Sequence, residues 1–492
     1  MIDLNLDQVI SAITAKQSPD LVSLFSTPVS NFETIKYRQD IMRELEDDNL
    51  MEIIKNFSHD LRWALQLIET SQKSYFKHEQ EQTFLESVLV YCSSINSLQE
   101  SIKNSDLKSL GLITLRDFLE AYTKEATFQR LLADSTALKN RYSTIRYNIV
   151  IKGSSITVRE NKNEPDYTPV IEKTFEKFRQ GAVKDYSAKI SPGGSMDHIN
   201  SAILDRVSLL FPEIFKEMTE FKKNHADFTN AFILQFEKDV QFYISFLAYI
   251  KPLRHHGLKF CYPNILTSSK AVKGKETFDI ALASKSVTEK KKVIVNDFYL
   301  QGPERIFIVS GPNHGGKTTF ARMFGQLHFL ACLGCPVPGI ESDLFLFDKL
   351  FTHFERKEDI RNLRGKLQDD LVRIKEILTQ STTNSIVILN EIFSSTSLQD
   401  SIFLSKMILQ QISDLDMIAV CVTFIDELAS FNEKTVSMVS QVDPKDPAIR
   451  TFKLQRQPAT GIAYALSVAE KHGVTYQQLM KRIGYESLSS SP

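Results

Sequence analysis

The sequence of 492 residues lacks any apolar run as long as the roughly 18 residues that cross a membrane. Its amino terminus also lacks the basic start and apolar core of a signal peptide. Cysteine is scarce, and its five copies are scattered along the chain, which suits a reducing cytosol. We therefore expect a cytoplasmic protein.

Metal-binding spacing is absent as well. Cys332 and Cys335 form a C-x-x-C pair, but no second pair of cysteines or histidines stands at zinc spacing. We expect both cysteines to serve as packing residues on a helix. We expect His255 and His256, which have no partners at metal spacing, to lie in a surface loop.

An excess of positive charge is also missing. The formal net charge is −1, so any contact with nucleic acid requires a local basic patch. The chain is 42% hydrophobic and 24% charged, which is ordinary for a globular protein, and its length predicts two to four domains. The specific evidence must therefore come from motifs.

One stretch carries a specific signal. Residues 306–309 form a β-branched apolar run, residues 311–318 fit G-x-x-x-x-G-K-[ST], and a helical pattern follows. A strand, a glycine loop and a helix in this order predict a phosphate-binding loop. The alternative is a glycine-rich turn that matches by chance. The residues expected to bind nucleotide are Gly311, Pro312, Asn313, His314, Gly315, Gly316, Lys317, Thr318 and Thr319.

Each residue type in this loop has its own expected role. Gly311, Gly315 and Gly316 can adopt backbone angles closed to other residues, so that successive N–H groups turn inward on phosphate oxygens. The helix amino terminus adds partial positive charge. Lys317 is expected to reach the β- and γ-phosphates of ATP, and the Thr318 hydroxyl is expected to ligate Mg²⁺.

The filling of the loop, Gly-Pro-Asn-x-Gly-Gly-Lys-Thr-Thr, resembles the MutS family, the mismatch-repair ATPases and their paralogues. Other stretches resemble the same family, in the expected order. They are Pro28 with Asn31, Ile35, Arg38, Gln39 and Asp40, and residues 260–265, 295–297 (a turn in the family), 349–354 and 458–474. The resemblance implies an α plus α/β protein. Its parts are a long helical core or lever domain with a small clamp-like β-containing insertion, an ABC-type P-loop ATPase domain and a carboxy-terminal helix-turn-helix.

The hydrophobic patterning predicts the same order of domains. Helical spacing runs through residues 1–145, alternation around Gly153 predicts a hairpin in the clamp-like insertion 146–195, and helical spacing returns over 196–257. Strands that alternate with helices predict an α/β domain over 258–484. A short serine-rich tail, 485–492, is expected to be disordered.

A second apolar strand ends in Asn390 and Glu391, roughly 75 residues past Lys317, where the MutS family places its Walker B strand. Glu391 is the candidate catalytic residue, because a carboxylate there can orient or deprotonate the attacking water. Thr318, Asn390 and Glu391 are the candidate residues around Mg²⁺, with Thr318 and phosphate oxygens as its main ligands. An incidental Asn-Glu at a strand end is the alternative.

Several positions depart from the family pattern. They are Asn390 in place of aspartate, Gly365 in place of serine, Phe424 in place of histidine, and the 394–400 loop, which lacks two glycines and an arginine. Lys366 or Arg364 could instead offer charge across a dimer. These changes surround the expected γ-phosphate, so they predict slow or altered hydrolysis with nucleotide binding retained.

The segment between residues 141 and 189 leans basic. In the MutS architecture a clamp at this place touches the DNA backbone, so Lys152, Arg159, Lys162 and Lys184 are candidate DNA contacts. Solvation of an ordinary surface explains the lysines equally well. The core-domain similarity begins within the first 30 residues, so we expect no mismatch-reading domain and no connector.

Three hypotheses follow. The first is a MutS-like homodimeric ATPase whose two ATP sites gate a helical clamp on branched or duplex DNA, which would make the protein nucleoid-associated. The second is a nucleotide-gated interaction module that hydrolyses little ATP and grips a protein partner. The third, an ABC-type chromosome-structural or repair ATPase, lacks its expected Leu-Ser-Gly-Gly signature here.

Overall fold

A computed structural model describes residues 1–15, 19–152, 155–161, 173–174, 198–355, 365–443, 445–446, 449–459 and 473–483. Over these residues the chain is a mixture of α-helices and β-sheets, so the expected mixed α/β class is confirmed. Contacts divide the chain into two compact units: the helical unit, residues 48–238, and the α/β unit, residues 1–47 with 239–492. No described helix is both long enough and apolar enough to cross a membrane.

The α/β unit begins with helices. A 3₁₀ turn, Ile2–Leu4, precedes α1 (Leu6–Thr14), α2 (Pro19–Ser26) and α3 (Phe32–Glu44). Asn31 caps α3, because its side chain accepts a hydrogen bond of 2.8 Å from the Thr34 amide. Their contacts group these helices with the α/β unit, whereas periodicity alone grouped them with the helices that follow.

The helical unit is built from long amphipathic helices and one hairpin. Its elements are α4 (Asp48–Lys73), α5 (Lys77–Ile102), α6 (Leu110–Tyr122), α7 (Ala126–Tyr142), β1 (Tyr147–Lys152), β2 (Ser155–Glu160), α8 (His198–Leu210), α9 (Pro212–Asn224) and the start of α10 (Ala231–His255). The antiparallel strands β1 and β2 form the hairpin that the alternating sequence predicts. The helical spacing that returns after the hairpin corresponds to three described helices, α8, α9 and α10. His255 is the last residue of α10, so the surface loop expected at this position begins only after it.

The core of the helical unit is aromatic. Tyr91 of α5 is fully buried, and its ring meets the edge of Phe228 at a centroid distance of 5.2 Å. Its hydroxyl lies 3.1 Å from the Tyr122 hydroxyl and accepts a 2.9 Å hydrogen bond from the Asn230 amide. The polar end of this large side chain is therefore satisfied inside the core.

The α/β unit continues beyond α10 with alternating strands and helices. They are β3 (Phe260–Cys261), β4 (Asn264–Leu266), β5 (Lys273–Thr277), α11 (Ile280–Thr288), β6 (Asn296–Tyr299), β7 (Ile306–Ser310), α12 (Lys317–Cys332), β8 (Val337–Pro338), β9 (Glu341–Phe345), β10 (Leu350–Phe354), α13 (Lys366–Gln380), β11 (Ile386–Asn390), α14 (Leu398–Asp414), β12 (Ile418–Val422), β13 (Thr435–Val442), β14 (Arg450–Arg456) and α15 (Tyr476–Ile483). Residues 460–472 of the predicted helix-turn-helix and the predicted tail 485–492 lie outside the described residues.

The main sheet has the strand order β10-β11-β12-β7-β13-β14. All neighbouring pairs are parallel except β13 and β14, which are antiparallel. Strands β7, β11 and β12 are buried along their whole length, which explains their continuous apolar sequences. Because parallel strands end at the same edge, the loop after β7 and the end of β11 lie close together, with β12 between them.

The first residues of the chain pack on α12. Arg322 Nε donates to the Asp3 carbonyl at 3.0 Å, and Gln326 Nε2 donates to the Leu4 carbonyl at 2.8 Å. A Cβ on Gly325 would lie 2.8 Å from a Leu4 methyl carbon and 2.7 Å from Ile388 Cδ1. Glycine at position 325 therefore makes room for the amino-terminal segment against the helix.

We expect Gly325→Ala to lower the free energy of unfolding by about 1–3 kcal/mol, because the added methyl overpacks the contact with Leu4. Leu4→Ala alone should cost about 2–5 kcal/mol. The double variant should lose less than the sum, by about 1 kcal/mol, since the methyl then fills vacated space. Urea unfolding of all four proteins measures this coupling, and strictly additive losses would contradict the packing described.

Candidate nucleotide-binding site

In the loop between β7 and α12, two of the three glycines have the unusual backbone angles that the sequence predicts. Gly311 and Gly316 have positive φ angles of 117° and 95°, in the left-handed region. Gly316 is the residue before the first turn of α12, so it aims the helix amino terminus into the loop. His314, although not a glycine, also has a positive φ of 58°.

Gly315 is required for a different reason, namely space. Its φ is not positive, but a Cβ there would lie 2.3 Å from the Ser440 hydroxyl oxygen and 3.0 Å from the Pro312 carbonyl. Ser440 Oγ donates a 2.6 Å hydrogen bond to the Gly315 carbonyl. The explanation of Gly315 by backbone angle is therefore wrong: β13 presses on the loop, and only glycine fits.

Lys317 opens α12 and turns back over the loop. Its Nζ donates to the carbonyls of Gly311 and Pro312 at 2.9 and 3.1 Å. The residue is only 4% exposed, and Nζ lies 4.1 Å from the centroid of the Phe424 ring. Burial lowers the pKa of Lys317 to about 8, although the Glu391 carboxylate acts in the opposite direction. The site thus holds a poorly solvated cation.

The end of β11 lies beside Thr318, the residue that follows Lys317. The Thr318 hydroxyl donates to Asn390 Oδ1 at 3.0 Å, so two oxygen-bearing side chains meet beside the helix amino terminus. Glu391 follows with a left-handed φ of 56°, and its amide donates to the Val422 carbonyl at 2.9 Å. This uncommon backbone turns Glu391 out of the sheet, where it lines the same cleft as the loop.

A cleft of about 660 Å³ lies over these residues. Three apolar side chains contribute to its walls: Leu282, Phe424 and Phe452. The other lining residues are Glu391 and the loop residues 313–319. A cleft lined by both apolar side chains and a polar glycine-rich loop can take a ligand with an apolar part and an anionic part.

Strand β14 forms part of this site, which the sequence did not reveal. Arg450 Nε donates to the Asn313 carbonyl at 3.2 Å, and the Phe452 backbone lies about 3.6 Å from where a Gly316 Cβ would stand. Asn296 holds β14 through 2.8 and 3.1 Å hydrogen bonds to the backbone of Leu454 and Phe452. The expectation of a turn at residues 295–297 is wrong, because Asn296 begins strand β6.

The regions that depart from the expected family pattern can be located in the structure. In the 394–400 loop, Ser397 caps α14 and donates to Asp400 Oδ2 at 2.7 Å. Gly365 is the cap residue of α13, and the Lys366 ammonium pairs with Glu355 within the same chain. Arg364 lies outside the described residues. For Lys366 to offer its charge across a dimer, this ion pair would first have to break.

The remaining cysteine and basic residues can also be placed. Cys332 and Cys335 are buried free thiols, and burial raises the pKa of Cys332 to about 12. Cys332 is the last residue of α12 but Cys335 lies beyond it, so the expectation that both pack on a helix is wrong for Cys335. In the helical unit, the β1–β2 register puts Lys152 and Arg159 on the same face of the hairpin. The other two candidate DNA contacts, Lys162 and Lys184, lie outside the described residues.

A buried parallel strand, a glycine-rich loop and a helix follow one another here as in the P-loop class of α/β proteins. Residues 307–482 match the family model for MutS domain V. Over these residues the match confirms the resemblance to the MutS family that the loop sequence predicted.

Individual relatives show the same partial coverage. A DNA mismatch repair protein MutS from Orientia tsutsugamushi is 32% identical over 228 residues, which are 44% of this chain and 25% of the relative. One from Thermotoga maritima is 25% identical over 239 residues, 48% of this chain and 27% of the relative. The matched region thus spans about a quarter of the length of these curated relatives.

The low pKa of Lys317 predicts a pH effect on the fold without nucleotide. Between a folded-state pKa of about 8 and its ordinary value of 10.5, the unfolded chain binds this proton more tightly than the folded chain. Raising the pH through that window should therefore stabilise the native protein relative to Lys317→Met. Urea unfolding of both proteins at about pH 7 and about pH 9.5 tests this, and a constant difference would contradict it.

Proposed function

We propose that this chain is a MutS-like protein that binds ATP in the cleft over the loop and hydrolyses it slowly. The main support is the joint arrangement of the buried Lys317, the Thr318–Asn390 contact and Glu391 around one open cleft. In this proposal, main-chain amides of the loop take phosphate oxygens, and Lys317 leaves its two carbonyl partners for the β- and γ-phosphates.

The donor set suits Mg²⁺, which is a hard cation that prefers oxygen ligands. Thr318 Oγ1 would hold the ion together with phosphate oxygens, while Asn390 would hydrogen-bond a water of its shell. When bound, the ion neutralises charge that develops on the transferred phosphoryl group. Glu391 would orient the attacking water and accept its proton.

The wider function that we propose is a homodimer whose ATP state gates a helical clamp on DNA, branched or duplex. The support comes from the relatives, whose names describe DNA mismatch repair, and from the shared face of Lys152 and Arg159 on the hairpin. Basic side chains on an exposed hairpin suit contact with phosphates without reading bases.

A second function, a nucleotide-gated module with little hydrolysis that binds a protein partner, is favoured by one contact. The Phe424 ring covers Lys317 Nζ at 4.1 Å, at the place where the family has a histidine, and Asn390 brings no negative charge to the metal position. Single-turnover hydrolysis with and without DNA separates the two functions. A rate stimulated by DNA would exclude the second.

Two substitutions should separate binding from turnover. Lys317→Ala should weaken ATP binding more than about tenfold, or 1.4 kcal/mol, because the phosphates lose their cation. Glu391→Gln should bind ATP as tightly as the native protein and hydrolyse it about 10² to 10⁴ times more slowly. Equilibrium binding and radiolabelled phosphate release measure both effects. If Lys317→Ala bound and hydrolysed ATP like the native protein, that result would contradict the proposal.

DNA binding has its own test. Replacing Lys152 and Arg159 by alanine should reduce the slope of log affinity against log salt by about 1 for each phosphate that the variant no longer neutralises. Duplex, forked and Holliday-type DNA should be titrated at several salt concentrations. Lys124→Ala, which removes one exposed charge of the same helical unit outside the hairpin, serves as a control for the loss of a lysine elsewhere. An absence of salt dependence in the native protein would remove DNA from the proposal.

A further inference from the structure

Arg450 is a cationic residue beside the loop of the proposed nucleotide site, and neither the motif nor the family resemblance gives it a role. It begins β14, and its Nε donates to the carbonyl of Asn313, the third residue of the loop motif. Two residues further on, Phe452 lies against Gly316 and lines the cleft. The first residues of β14 thus run alongside the loop from Asn313 to Gly316.

The charge of Arg450 acts on Lys317, the motif lysine of the loop. Arg450 and Lys317 are close enough that Arg450 contributes to the lowered pKa of the lysine, while Glu391 and Asp426 raise it. Two cations held close together repel each other, and an anion bound near both of them would reduce that repulsion.

We infer that Arg450 is a second phosphate-directed cation of the site, which holds Asn313 in place and adds its charge to that of Lys317 for the polyphosphate of the nucleotide. A guanidinium presents five donors in a planar fork, a shape that matches phosphate oxygens, and it stays charged at every relevant pH. The inference rests on the proposed nucleotide binding and specifies which residues of this chain supply it.

Strand β14 also offers a matched control. Arg456 closes the same strand, but its guanidinium pairs with Glu304 and lies 4.4 Å from the centroid of the Tyr299 ring. Its guanidinium thus contacts side chains outside the loop. Removing either arginine takes one positive charge from β14, so the effect of total charge is the same in both variants.

The test measures displacement of a fluorescent ATP analogue from the full chain by ATP and by adenosine. The proteins are the native chain, Arg450→Gln, Arg450→Lys, Arg456→Gln and Lys317→Ala. We expect Arg450→Gln to weaken ATP binding about tenfold, or 1.4 kcal/mol, with adenosine unchanged. Arg450→Lys should recover part of the loss because it restores the charge, and Arg456→Gln should bind ATP normally.

Each other result has a definite meaning. Normal ATP binding by Arg450→Gln, together with weak binding by Lys317→Ala, would overturn the role of Arg450 and leave the nucleotide site intact. Equal losses for ATP and adenosine, or no recovery with lysine, would show that Arg450 only shapes the loop and would also overturn the inference. If the native chain bound no ATP, the proposed function itself would fall.

Discussion

The hydrogen bond from Ser440 to the Gly315 carbonyl, at 2.6 Å, is the contact on which the candidate site depends. It brings β13 so close to the loop that any side chain at position 315 would collide with the serine hydroxyl. The loop is therefore held from the side by the sheet. Carbonyls of the loop accept hydrogen bonds from the side chains of Ser440, Lys317 and Arg450.

This arrangement disfavours the charged form of Lys317. Lys317 is almost fully buried, touches an aromatic ring and donates to two carbonyls, so its charged form is disfavoured relative to water. In the proposed function a polyphosphate would reduce the cost of that charged form, once Lys317 has left its two carbonyl partners. The same logic explains why a motif lysine that destabilises the fold can be useful for binding.

Binding and hydrolysis make different demands on the site. In the proposed function, binding would use the loop backbone, Lys317 and the Thr318 hydroxyl. Hydrolysis also needs groups around the γ-phosphate, where Asn390 and Phe424 replace a carboxylate and an imidazole of the family pattern. The two proposed functions differ only in how much turnover those replacements leave.

A large part of the fold could be predicted from the sequence. The strand, loop and helix at 306–332, the second buried strand at Asn390, the 147–160 hairpin and the Asn31 cap are local patterns. Each of them depends on residues within one or two turns or strands of each other. The periodicity of apolar residues and the glycine spacing carry that information directly.

The sequence could not show why Gly315 and Gly325 are glycines, because each makes room for a residue that is distant in the chain. Ser440 lies 125 residues beyond Gly315, and Leu4 precedes Gly325 by more than 300. Arg450 and Phe452 are also far from the loop in the chain, so the motif could not indicate that they contact it.

Local sequence was enough to predict the glycine loop and the class of domain that carries it, because backbone preferences and hydrophobic period are local properties. The folded chain was needed to show which strands support the loop, which arginine donates to its Asn313 carbonyl, and where the first residues of the chain pack. Those outcomes depend on steric fit and charge between segments that meet only after folding.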